Sequence, residues 1–160
     1  MRWLRFAGLL CFATVLQAGL LAYLDIKPDL LLILLVFFAV YSNTTEAIIT
    51  SFSIGFAADI IGPAMGPQII SFGLCGTGLA YLNRVITIKK IPYQALAIFI
   101  TGLLAGTSAH FLTYIRSGPA VQNFLFTLLG TSFYSAVIGP FLFLPTTWWM
   151  SIKTKRFRKY

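Results

Sequence analysis

Long apolar runs separated by short polar breaks dominate the chain. Most runs come close to the roughly 20 apolar residues that a transmembrane helix needs, and the breaks carry charges, proline or glycine, which interrupt helices. The pattern predicts an all-α polytopic membrane protein, made of a single integral membrane domain with about six transmembrane helices. The predicted spans are about 3–24, 28–41, 44–61, 66–83, 92–115 and 123–150, followed by a basic tail at 151–160.

Three of these runs need comment. The second, at 28–41, would reach only about 21 Å as a helix, so it must be extended by its flanks, sit in a thinned bilayer or be shielded by neighbouring helices. The sixth contains Pro140 and Pro145, which predict a kink or a partial re-entry. The first follows a basic N-terminus, like a signal peptide, but it is longer than the usual apolar core of about 7–15 residues. We expect an uncleaved span.

The breaks predict where helices begin. Pro28 suits the first turn of the second helix. The third helix is predicted to start after Asn43, with Glu46 three residues later as in a capping box. The sequence Gly-Pro-Ala-Met-Gly-Pro at 62–67 cannot be helical throughout, and it predicts a turn.

The distribution of charged residues predicts how the chain is oriented in the membrane. Only 10% of residues are charged, and the net charge is +8. Of the 12 lysines and arginines, all but Lys27 and Arg116 belong to the N-terminus, the 84–91 loop or the C-terminal tail. With six spans these ten lie on one side, which the positive-inside rule assigns to the cytoplasm, so both termini are predicted inside. Their placement at the ends of apolar runs argues against nucleic-acid binding.

Asp59 is the strongest candidate for a functional side chain, because a carboxylate within a transmembrane helix is costly unless it has a partner. It lies one helical turn after Gly55, and it sits near a helix C-terminus, where the dipole disfavours negative charge. Three partners remain open: Lys27, Arg116 or backbone donors such as those of the 62–66 turn. Simple hydration at the helix end is the other interpretation.

The other polar and small residues favour structural roles. Gly73, Gly76, Gly102 and Gly106 offer the close backbone approach that packs membrane helices. His110, the one histidine, has no nearby carboxylate or cysteine, and Cys11 and Cys75 are far apart, so no metal, cofactor or catalytic group is predicted. The tail predicts contact with anionic lipid or with a cytoplasmic partner through Lys153, Lys155, Arg156, Arg158 and Lys159.

The order of motifs between 28 and 66 resembles the rod shape-determining protein MreD family. Lys27-Pro28-Asp29 followed by three leucines opens the short second span. A Gly-xxx-Asp pattern, here Gly55 and Asp59, follows in the next span, and a Gly-Pro turn then runs from Gly62 to Gly66. Each motif is weak alone, but the ordered set is more specific, and the length and layout of the whole chain are similar.

The resemblance implies a scaffold of the bacterial cell-elongation machinery in the inner membrane. Its implied partners are a bitopic MreC-like protein, actin-like MreB filaments and peptidoglycan synthases, with the region of Pro28, Asp29 and Asp59 holding partners. It also implies the compact six-helix fold of the substrate-binding subunits of energy-coupling-factor transporters. The alternative function is therefore a substrate-binding subunit of a vitamin-type transporter, which should place converging polar side chains in one outward pocket. The outer half offers little beyond Asp25, Asp29, Asp59 and Gln68. A membrane enzyme is the third possibility, but four acidic residues spread along the chain do not supply a catalytic cluster.

Overall fold

The computed structural model describes residues 3–19, 28–62, 66–85, 91–115 and 124–150, which form six α-helices. In chain order the helices are α1 Trp3–Ala18, α2 Leu30–Tyr41, α3 Thr44–Ile61, α4 Pro67–Val85, α5 Ile91–Ile115 and α6 Phe124–Met150. The predicted all-helical architecture is confirmed. The end of the first predicted span, residues 20–24, lies outside the described residues.

Several helices have the length and composition of membrane spans. Within the described residues, Thr44–Ile61, Ile91–Ile115 and Leu125–Trp148 are long and apolar enough to cross a bilayer, while α1 and α2 are apolar but shorter. The outward faces carry large apolar side chains, among them Leu4, Phe141 and Leu144, which are 89%, 72% and 73% exposed. Contiguous apolar surface of this kind is stable against lipid rather than water. These features indicate a multi-pass membrane protein.

Successive helices run in opposite directions, so the bundle has two distinct ends. At one end, Gln94 near the start of α5 donates to the Tyr41 hydroxyl at the end of α2, and Phe143 of α6 packs edge-on against the same ring. At the opposite end, Gln17 near the end of α1 donates to Asp29 at the start of α2. We call the first the basic end, because Arg5 of α1 and Arg84 of α4 lie near it, next to Phe6 and Asn83, which contact the last turn of α2. The second is the capped end, after the helix caps described below.

The short helix α2 is the centre of the bundle. Its ten consecutive residues from Leu31 to Val40 are buried, and α2 contacts all five other helices. A helix that is apolar on every side belongs in an interior. Its 12 residues span only about 18 Å, against a hydrocarbon thickness of about 30 Å. Of the three explanations open for the short second run, the structure shows shielding by neighbouring helices.

The structure differs from the sequence-based expectation at three local points. Helix α2 begins at Leu30, so Pro28 precedes the helix rather than forming its first turn, because Asp29 takes the cap position. Asn43 is the residue before α3, but its side chain makes no capping hydrogen bond. Finally, α6 continues as one helix through Pro140 and Pro145, so no re-entry occurs between 124 and 150.

Candidate functional site

Asp59, in the last turn of α3, caps the start of α4. Its side chain is only 2% exposed. One carboxylate oxygen accepts the N–H of Gln68 at 3.0 Å, and the other accepts those of Gly66 and Ile69, both at 2.9 Å. Both oxygens are therefore acceptors, the pattern of an ionised carboxylate. Of the partners that the sequence left open, the structure shows backbone donors; Lys27 and Arg116 lie outside the described residues.

This geometry explains how a carboxylate is tolerated near a helix C-terminus. The first N–H groups of a helix have no acceptor within the helix, and at α4 they belong to Gly66, Gln68 and Ile69, since Pro67 has no N–H. Asp59 binds all three, so the positive end of the α4 dipole faces the negative charge. The turn back toward Asp59 requires a positive φ of 112° at Gly66, which glycine adopts without strain.

Asp29 forms a second cap, at the start of α2. One of its oxygens accepts the N–H groups of Leu31 and Leu32, each at 3.1 Å. Gln17 of α1 supports this cap twice, because its amide donates to Asp29 and its carbonyl oxygen accepts from Leu31. The backbone N–H of Asp29 in turn donates to the Ser135 hydroxyl of α6 at 2.8 Å. The cap of the central helix is therefore shared by three helices.

Gln17 and Ser135 were not singled out from the sequence. Both residue types are common in helices, and whether their side chains reach Asp29 depends on how α1 and α6 are rotated in the bundle. The Gln17–Asp29 separation of 12 residues crosses a helix break, and the Ser135 contact spans 106 residues. The only signal for these contacts would have been polar side chains in the helices that pack against the start of α2.

A small cavity of about 260 Å³ opens at the capped end between α2, α4, α5 and α6. Its polar lining comes from Asp29, Gln68, His110, Thr113, Thr131 and Ser132. The sequence had pointed to Asp25, Asp29, Asp59 and Gln68 as outer polar groups. Asp59 does not line the cavity, and Asp25 lies outside the described residues. Asp29 and Gln68 do line it, together with His110, Thr113, Thr131 and Ser132.

The Gly-xxx-Asp pattern is a packing motif as well as a cap. A Cβ atom on Gly55 would lie 2.8 Å from the Cα of Ile69 and 3.0 Å from the Gln68 carbonyl oxygen, so α3 and α4 touch backbone to backbone there. Gly62, at the end of α3, is less constrained, with its nearest atom at 3.3 Å. Gly55 thus holds the two helices close enough for Asp59 to reach the first turn of α4.

The other predicted packing glycines also lie at helix contacts. In α4, Gly73 lies under the Phe52 ring and Gly76 against the Ser51 side chain, both from α3. In α5, Gly102 contacts Ser132 of α6 and Gly106 contacts Leu128 of the same helix. A Cβ at any of these four would meet another side chain, so they serve contacts within the chain.

The described residues offer little for metal or redox chemistry. No group of three histidine, cysteine, aspartate or glutamate side chains lies close enough to hold a metal ion in residues 3–19, 28–62, 66–85, 91–115 and 124–150. Cys11 and Cys75 are both free thiols. The basic tail at 151–160 lies outside the described residues. The side chains of Asp29 and Asp59 serve instead to cap and align the buried starts of α2 and α4.

Comparison with known proteins identifies no relative of this chain. No family model, curated protein or solved structure matches this chain.

Proposed function

We propose that the protein is a non-enzymatic scaffold of the bacterial cell-elongation machinery, associating with an MreC-like bitopic protein to position peptidoglycan synthesis. The observation that supports it most is the convergence of the ordered motifs. Asp29, Gly55, Asp59 and Gly66 lie at one end of the bundle, where they fix the starts of α2 and α4. A rigid end with apolar sides suits a protein that acts by association.

We propose the inner membrane as the location, with the basic end toward the cytoplasm. The ten-to-two distribution of lysine and arginine supports this orientation. The capped end then faces outward, where a bitopic partner with an external domain is accessible. MreB-like filaments and peptidoglycan synthases would join through that partner or at the basic end.

The exposed apolar surface beside Asp59 is the proposed contact for the bitopic partner. Phe56 and Ile60 of α3 are 54% and 57% exposed, and Ile70 of α4 is 43% exposed. They flank the α3–α4 pair that the Asp59 cap joins. Because lipid is as apolar as these side chains, we expect association to depend on close van der Waals packing of a complementary partner helix against them.

In-cell photo-crosslinking tests this function. A photoreactive residue replacing Ile60 should capture an MreC-like bitopic protein from the same genome, while one replacing Leu82, near the other end of α4 and 48% exposed, serves as the matched control. Deleting the protein from its host should give rounded cells. Normal rods together with absent capture at Ile60 would refute the scaffold.

The cavity at the capped end is the one observation that favours the alternative, a substrate-binding transporter subunit. Its polar side chains converge as that function requires, but about 260 Å³ is below the roughly 300–1,000 Å³ of typical ligand pockets. Native mass spectrometry of the purified protein distinguishes the two functions. A stoichiometric small molecule that is lost in Thr131→Trp, but retained in the exposed control Leu125→Trp, would support the transporter subunit.

A further inference from the structure

The cavity at the capped end contains a buried hydroxyl group that faces its interior. The cavity lies between α2, α4, α5 and α6 and has a volume of about 260 Å³. Ser132 of α6 lines it and is only 2% exposed. The Oγ atom of Ser132 is turned toward α5, because it would lie 2.9 Å from a Cβ atom on Gly102, which lines the same cavity. A polar atom therefore points into this space from inside the bundle.

Three of the lining side chains make no hydrogen bond within the part of the chain that the structure describes. They are the amide of Gln68 and the hydroxyl groups of Thr131 and Ser132. Thr113, in the same lining, shows the usual alternative, since its hydroxyl donates to the Ala109 carbonyl oxygen at 2.9 Å. A shielded polar group without a hydrogen bond is costly. The three side chains thus favour an occupant that supplies hydrogen bonds.

The chemistry of these groups indicates a neutral ligand. A hydroxyl group or a side-chain amide can both donate and accept, and neither carries a charge. Asp29 also lines the cavity, but one of its oxygens accepts the N–H groups of Leu31 and Leu32, so the positive end of the α2 dipole offsets its charge. The same carboxylate disfavours an anion. A ligand with several hydroxyl groups matches this set of donors and acceptors.

The size of the cavity and its apolar walls narrow the ligand class further. The volume corresponds to about nine water molecules at roughly 30 Å³ each. An organic ligand packs more closely, so about a dozen non-hydrogen atoms fit. Phe72, which is 4% exposed, lines the cavity together with Leu32 and Leu128, and these side chains offer water no hydrogen bonds. A cyclic polyol presents C–H groups to apolar walls and hydroxyl groups to polar ones.

We propose that this cavity binds a neutral cyclic polyol of monosaccharide size. Ser132, Thr131 and Gln68 bind its hydroxyl groups, and its apolar face lies toward Phe72. The inference does not rest on the scaffold function, which uses the outer apolar face of α3 and α4. It does not require transport either, since binding of an added polyol is a property of the cavity alone.

Saturation-transfer NMR of the purified chain tests the proposal, with myo-inositol and D-glucose as probes. The protein is kept in a zwitterionic detergent, because the headgroups of maltoside and glucoside detergents are themselves polyols. We expect a Kd of about 1 mM or tighter for one of the two polyols, as a few net hydrogen bonds provide. Cyclohexanol has the same ring size and one hydroxyl group, so it should bind at least about tenfold more weakly.

Variants on α6 assign the binding to the cavity. Thr131→Val keeps the shape of the side chain and removes its hydroxyl, so it should weaken binding about three- to tenfold, as Ser132→Ala should. The matched control is Thr127→Val, the same change one turn earlier at an exposed position outside the cavity, and it should leave the Kd unchanged. Thr131→Trp fills the cavity and should abolish binding, whereas Leu125→Trp, at a residue that is 68% exposed, should not. If Thr131→Trp does not accumulate, the isosteric Thr131→Val decides the question.

Four outcomes would overturn the proposal. Absence of a saturable signal from both polyols would mean that the cavity holds only water. Equal binding of cyclohexanol would make it an apolar site, and tenfold tighter binding of the cation glucosamine than of D-glucose would make it a cation site at Asp29. Binding that is unchanged in Thr131→Val and Ser132→Ala would place the polyol elsewhere. The scaffold is tested separately by crosslinking at Ile60, so the failure of one proposal is distinguishable from failure of the other.

Discussion

The Asp59 cap makes a quantitative prediction about stability. Asp59→Ala removes both acceptor oxygens and leaves the N–H groups of Gly66, Gln68 and Ile69 without their partner. Asp59→Asn keeps the size of the side chain and one acceptor oxygen, but it turns an amide toward donors. The pair of variants therefore separates the loss of the cap from the loss of volume.

The size of the effect follows from the geometry. A hydrogen bond to a charged group contributes about 1.5–3 kcal/mol net, so three would sum to about 4.5–9 kcal/mol. That sum is an upper bound, because water entering the vacated space would bind some of the donors. The lower bound is about 0.5–2 kcal/mol, measured for ordinary caps. For a cap that is only 2% exposed, we expect Asp59→Ala to cost about 3–5 kcal/mol and Asp59→Asn about 2 kcal/mol.

The assay is reversible unfolding of the purified protein in mixed micelles, followed by circular dichroism. Ile60→Ala is the matched control, since it removes a neighbouring side chain that is 57% exposed and caps nothing. It should change the free energy of unfolding by less than about 0.5 kcal/mol. If Asp59→Ala is as mild as this control, the carboxylate does not hold the start of α4 and the structural argument fails.

The remaining predictions concern packing, the second cap and orientation. Gly55→Ala should destabilise the protein by about 1–3 kcal/mol, because the added methyl group meets the α4 backbone. The control Gly78→Ala places its methyl group in open space, so it should be neutral or stabilising in the same unfolding assay. Gln17→Ala should cost about 1–2 kcal/mol through its two bonds at the α2 cap; an unchanged unfolding midpoint would contradict this cap. Reporter fusions after Tyr160 and within 84–91 should read cytoplasmic and one after Arg116 periplasmic, and a periplasmic C-terminus would overturn the orientation.

The sequence predicts helix number and position well, because the apolar runs end where charges, proline and glycine begin. The third helix, at 44–61, and the fifth, at 92–115, match the structure to within a residue at each end. Asp59 also stands out from the sequence, since a carboxylate in an apolar run needs a partner, and backbone donors of the following turn were one of the expected solutions.

The sequence does not predict which side of each helix faces inward. In a soluble helix the apolar stripe marks the core, but in lipid the outward face is as apolar as the inward one. The cavity residues His110, Thr113 and Thr131 therefore could not be placed together, nor could Ser135 be paired with Asp29.

The shared cap of α2 has a consequence for biosynthesis. The ribosome delivers α2 early, but the Ser135 hydroxyl that binds the Asp29 N–H belongs to α6, the last helix described. At about 18 Å, α2 is also too short to cross the hydrocarbon alone. The nascent chain thus holds an incomplete centre until α6 arrives. Termination before α6 should leave a product that membrane quality-control proteases recognise, while a chain that includes α6 closes around α2 and escapes them.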